Sequence, residues 1–354
     1  MRRRWFFTLP AVTAVLLLSA APALACGGLI GPNGAVNLLK TTTFAGYHAG
    51  IEHYITAFEF AGGGGAFGSL TPLPGVPTNV EKGGDWTLQR LIRETQPPEL
   101  QFVRAAAFDE LAAGSAQELA KYKIDALDIT VLKGGADEIG VWAKDHGFRL
   151  PPDAPEVLDF YASRSPIFLA AAFDADAAAE RGQAVGDGTS VHITIPTPNP
   201  WVPLRILSLG KNGEERIEAD VYLMTDHAPA LLPAPSGRNG LDLAFNAKAS
   251  KSLLEDLRSD RGMEWVPTSA WLSQITIDAS AEQLAFDLAI DASGQGTPSR
   301  IQAGLEIPGG GASYSTGVAL GRLLIAVSVI GLGLLLMWRV IASGQPGVRP
   351  TAGA

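Results

Sequence analysis

Apolar and polar residues alternate over short stretches through most of this chain, and one long apolar run stands near its end. Residues 36–45 and 51–61 are rich in Thr, aromatic and β-branched side chains, which predicts two strands. Residues 46–50 form the turn between them, so the pair reads as a hairpin. A glycine turn at 62–65 leads to a third strand, 66–73, ended by Pro72, Pro74 and Pro77. Asp85 stands as the N-cap of a short helix, 86–95, with Trp86, Leu88, Leu91 and Ile92 along one side. Helical patterns follow at 102–121, 136–146, 155–163 and 250–257. Strand patterns fall at 125–132, 167–173, 191–195, 204–209, 219–225, 241–245, 271–277 and 284–289. Lys211-Asn212-Gly213 is the predicted hairpin turn between 204–209 and 219–225. The order is no clean strand–helix alternation, so the expected class is α+β, rich in strands at its start and finish.

The long run covers residues 317–338 and holds a single charge, Arg322. A bilayer core needs about 20 apolar helical residues to cross, so this run predicts one transmembrane helix. Residues 1–25 carry Arg2, Arg3 and Arg4, then an apolar stretch, then Ala23-Leu24-Ala25, the pattern of a removable signal peptide. Cleavage after Ala25 makes Cys26 the first mature residue and a candidate lipidation site. Glycine-rich residues 308–316 read as a stalk, and Arg339 and Arg349 mark 339–354 as a short cytoplasmic tail. The expected arrangement is an extracytoplasmic domain, 26–307, of one or two subdomains, held at the cell membrane by a single C-terminal helix.

Composition adds a charge. All 36 acidic residues and 21 of the 27 basic ones lie in 26–316, a net charge of −15 with His neutral. A surface that acidic disfavours nucleic acid and anionic lipid. With Cys26 as the sole cysteine, no intrachain disulfide forms, and the core must supply the stability.

Candidate chemistry is sparse. His48, Glu52 and His53 fall within six residues, in YHAGIEHY, and are the residue types that ligate zinc. Their spacing is neither H-E-x-x-H nor H-x-x-E-H, and the hairpin places them around a turn. Glycines at 62–65 lack the Lys-Ser/Thr of a phosphate loop, and no G-x-S-x-G occurs. No residue is singled out as catalytic, and no cofactor is implied.

The start ACGGLI (25–30), the Pro-rich PLPGVP (72–77), the extended PNPWVPLRILSL (198–209) and VYLMTD (221–226) carry a resemblance. The chain resembles the bacterial secreted family labelled domain of unknown function 2330. Its members begin with a signal peptide and Cys-Gly-Gly and often end in a membrane helix. Relatives carry further cysteines where this chain has one. The resemblance implies the same topology and a surface role without catalysis, and it supplies no catalytic residues. The leading expectation is an exported single-pass membrane protein that binds a partner in the envelope or serves a membrane complex. The alternative is a metal-dependent envelope hydrolase using His48, Glu52 and His53.

Overall fold

The computed structural model describes residues 23–24, 28–31, 34–35, 40–59, 67–96, 118–180 and 188–308. Cys26, the run 317–338 and the tail 339–354 lie outside them, as do the glycine turn at 62–65 and most of the helix expected at 102–121. Among the described residues no helix is long and apolar enough to cross a membrane. The chain divides into two units, 1–306 and 307–354, and every element below belongs to the first.

In chain order the strands and helices are β1 (Ala23–Leu24), β2 (Gly28–Gly31), β3 (Gly34–Ala35), β4 (Lys40–His48), β5 (Ile51–Glu59), β6 (Phe67–Pro72), β7 (Asn79–Lys82), α1 (Thr87–Thr95), β8 (Glu118–Ile124), β9 (Leu127–Lys133), α2 (Ala136–Asp145), α3 (Ala154–Ala162) and β10 (Ile167–Phe173). There follow α4 (Ala175–Glu180), β11 (Gly188–Pro196), β12 (Trp201–Val202), a 3-10 turn (Arg205–Ser208), β13 (Arg216–Thr225), β14 (Ala230–Leu232), β15 (Leu241–Lys248), α5 (Lys251–Ser259), β16 (Trp271–Ser280) and β17 (Leu288–Asp291).

A large sheet runs in the order β15-β16-β13-β4-β5-β11-β7, with β1 beside β4. A second runs β3-β2-β6-β10-β9-β8, and a small one runs β12-β17-β14. The two large sheets face each other. Ala45, Tyr54, Ile193, Val221 and Ile275 of the first pack with Ile129, Val131, Leu169 and Ala171 of the second. Strand residues alternate sides, so the first sheet has a second apolar face. Phe44, Ile55, Tyr222, Met224 and Leu272 there meet Leu91 of α1 and Leu253, Leu254 and Leu257 of α5. The second sheet uses Leu70, Leu132, Phe168 and Ala170 against Ile139 and Trp142 of α2 and Val157, Leu158 and Tyr161 of α3. The result is four layers, helix–sheet–sheet–helix, with strands buried on both faces. The mixed, strand-rich class expected from the pattern is what the chain adopts.

Several elements differ from expectation for identifiable reasons. The first hairpin is tighter: β4 continues through Gly46 to His48, and the turn is Ala49-Gly50. Both turn residues have positive φ, 52° and 82°, as a two-residue hairpin of this kind requires. Residues 118–121, expected as helix, instead form β8 against β9, closed by Asp125 at φ 54°. Within 204–209, expected as a strand, Arg205–Ser208 form a 3-10 turn. The expected partner, β13, lies instead between β4, which it meets in parallel, and β16. β1 pairs with Lys40 and Thr41. Its two residues precede the expected cleavage point, so processing after Ala25 would remove that pairing.

The cap of α1 is also supplied from elsewhere. Trp86 takes the N-cap position and makes no capping bond. Asp260, just past α5, accepts from the Asp85 and Trp86 amides at 3.0 and 3.2 Å and from Thr87 Oγ1 at 2.7 Å. A Cβ on Gly84 would lie 2.1 Å from that carboxylate, so a glycine there lets it in. Asp85, expected as the cap, turns outward to Arg261 at 2.7 Å. Asp260→Ala is therefore expected to cost about 1–3 kcal/mol. It should also raise amide exchange in α1 before the rest of the sheet. Unchanged exchange there would count against the cap.

Candidate functional site

The first hairpin carries all three residues expected to form a metal site, and its register decides their fate. Gly46 lies opposite His53, Tyr47 opposite Glu52 and His48 opposite Ile51. Side chains alternate, so His48 and His53 share the helix-covered face while Glu52 points between the sheets. The expected set His48, Glu52 and His53 does not converge. Among the described residues, no group of three His, Cys, Asp or Glu side chains could hold a metal ion. The carboxylate missed its place because adjacent strand residues face opposite ways, which spacing alone did not reveal.

On the helix-covered face the structure assembles a different group. His53 Nδ1 lies 3.0 Å from His192 Nε2 on the neighbouring strand β11. Glu81 Oε1 of β7 lies 3.3 Å from His192 Nδ1, off the line of a good hydrogen bond. The Trp265 ring stacks on His53 at a centroid distance of 3.8 Å and an angle of 4°. The close approach needs Gly46, where a Cβ would sit 2.1 Å from the indole. His48 stands at the rim, bonded to Asp226 at 2.7 Å and substantially exposed.

Both imidazoles of the pair are buried. Burial, then the neighbouring His192 and His48, pushes the His53 pKa down to about 3. Burial also lowers that of His192, while Glu81 pulls the other way. Neutral, hydrogen-bonded imidazoles are the form this geometry favours. His192 was legible only as part of the alternating stretch 191–195, and nothing in the sequence links it to His53, Glu81 or Trp265.

Glu52 sits in the opposite environment. It is fully enclosed, and neither carboxylate oxygen has a good hydrogen bond among the described residues. Desolvation raises its pKa to about 8, with the Trp201 backbone pulling modestly down. Tyr47, across the hairpin, sends its hydroxyl away to the Thr197 carbonyl at 2.9 Å. The buried hydroxyls of Thr43, Thr56, Ser69 and Thr71 are likewise without a partner among the described residues, so this seam of the sandwich is polar but sparsely bonded.

Comparison with known proteins adds little. No family model matches the chain, and no curated protein matches it. Among solved structures, the chain is similar to baculovirus P35 at 9% identity, with 72% of this chain and 96% of P35 covered and a TM-score of 0.38. A mutated P35 after caspase cleavage gives 7% identity, 73% and 98% coverage and 0.37. The caspase-8/P35 complex gives 8%, 71% and 90%, and 0.33. At these scores the likeness says nothing about activity or partners.

Proposed function

We propose that this chain is an exported, single-pass membrane protein whose acidic, strand-rich domain binds a partner in the cell envelope without catalysis. The observation that carries the reading is the pair of targeting patterns, 1–25 and 317–338, on either side of the acidic stretch. The charge of −15 over 26–316 favours a cationic partner and disfavours nucleic acid. The four-layer core offers stability without disulfides, as a domain outside the membrane with one cysteine requires.

Deleting residues 317–338 is expected to move the protein from the membrane fraction to the soluble envelope fraction. If the truncated chain stays with intact membranes, the single-anchor arrangement is wrong, and an acylated Cys26 becomes the favoured anchor.

A further inference from the structure

Trp265 lies flat against one of two paired imidazoles, and that pair carries a limit on how many protons it can hold. The contact between His53 Nδ1 and His192 Nε2, 3.0 Å long, needs one nitrogen to donate and the other to accept. A neutral pair satisfies it, and so does a pair with one extra proton on His192. A second extra proton points two N–H groups at each other and places two like charges side by side in a closed site.

The surroundings set which proton comes first. From β7, Glu81 approaches His192 Nδ1, and from the segment after α5, Glu264 also favours charge on His192. From β4, His48 opposes charge on His53 and is itself engaged by Asp226. Arg261 is held by Asp85. The first proton therefore settles on His192, and the second, on His53, is the one the closed arrangement cannot accept.

Trp265 is the part free to yield. Among the described residues its buried Nε1 has no hydrogen-bond partner, so leaving costs it no polar contact there. The edge of its ring meets Gly46, which offers no side chain there, while the His53 and Phe44 rings stack with it at 3.8 and 6.1 Å. The backbone on either side is pinned by buried Met263 and Val266. We propose that Trp265 is a hinged cover that swings off His53 when the imidazole pair takes up its second proton, opening the recess above Gly46 beside Phe44. The device is independent of the partner-binding reading above.

The test is fluorine NMR of the full chain, labelled with 5-fluorotryptophan, extracted in mild detergent and titrated from about pH 8 to pH 4. W265F assigns the Trp265 signal among those of the other tryptophans. It is expected to move toward a solvent-exposed position, with the open population rising up to about tenfold per pH unit below the ordinary histidine range. The other tryptophan signals should stay. H53Q, which can hydrogen-bond but cannot titrate, should abolish the movement. The other tryptophan signals report whether H53Q folds, and H192Q takes its place if it does not. A Trp265 signal fixed down to pH 4, a shift shared by all tryptophans, or a shift unchanged in the Gln variant would overturn the proposal.

Discussion

Replacing Asp287 with alanine should cost about 3–5 kcal/mol, the range found when one member of a buried ion pair is removed. Asp287 Oδ2 receives Arg164 Nη2 at 2.6 Å, with 2% of the arginine side chain and none of the aspartate accessible. Its Oδ1 accepts from Tyr161 Oη and the Leu204 amide, both at 2.8 Å, and from the Arg205 amide at 3.0 Å. Tyr161 Oη in turn accepts from the Ile206 amide at 2.8 Å. One carboxylate thus joins α3 to the 3-10 turn and to the segment before β17. Its loss strands a guanidinium that also sits 4.0 Å from the Phe160 ring centroid and donates to the Gln302 carbonyl. Asp287→Asn keeps the shape and should cost less. The comparison is made by urea unfolding of wild type and both variants in the same detergent. A loss below about 1 kcal/mol for the alanine variant would mean the network is dispensable.

The second large effect depends on pH. Glu52 has its pKa raised to about 8, from 4.5, chiefly by desolvation. Between those values the folded chain holds a proton that the unfolded chain releases. The contribution is therefore complete below about pH 4.5 and is lost as pH rises through about 8. At about 1.4 kcal/mol per pKa unit, the swing reaches roughly 5 kcal/mol. Glu52→Gln keeps the volume and never ionises. The variant should match wild type within about 1 kcal/mol near pH 5 and exceed it by a few kcal/mol near pH 9. A stability difference that stays constant between those pH values would show that Glu52 ionises in the folded state as freely as in the unfolded one.

His53 gives the opposite sign. Its folded pKa is lowered to about 3, so stability is present above the ordinary histidine value and is lost as pH falls toward 3. Neighbours on β5, facing opposite ways, penalise alkaline and acid conditions respectively.

Periodicity was a good guide where one element settles its own form. α2, α3 and α5 lie close to their expected positions, as do β5, β6, β9, β10 and β16. Ser250 caps α5 through its own side chain, accepting from the Leu253 amide at 3.1 Å, the kind of signal a local reading can find. Contacts between distant segments were not legible. Asp260 serves the start of α1, β13 joins β4, and His192 meets His53, each pair separated by 139 residues or more. The site residues named from sequence were real neighbours along the chain, but a strand sends neighbours to opposite faces, and the hairpin turn proved shorter than the glycines suggested.

The parallel pairing of β4 with β13, Thr41 beside Ala219, also governs when this domain can form. A chain delivered N-terminus first presents β4 and β5 early, but one side of β4 waits for β13, and β13 waits in turn for β16. Pairings this remote are slow to close, because the intervening chain must be ordered before they return any stabilisation. Until β13 and α5 have emerged, β4 keeps an open edge and part of its helix-facing apolar side stays uncovered, and β13 then presents an edge of its own until β16 arrives, the combination most prone to aggregate. Folding is thus tied to near-complete delivery, and a chain interrupted before β16 is expected to be recognised as incomplete rather than to persist as a half-domain.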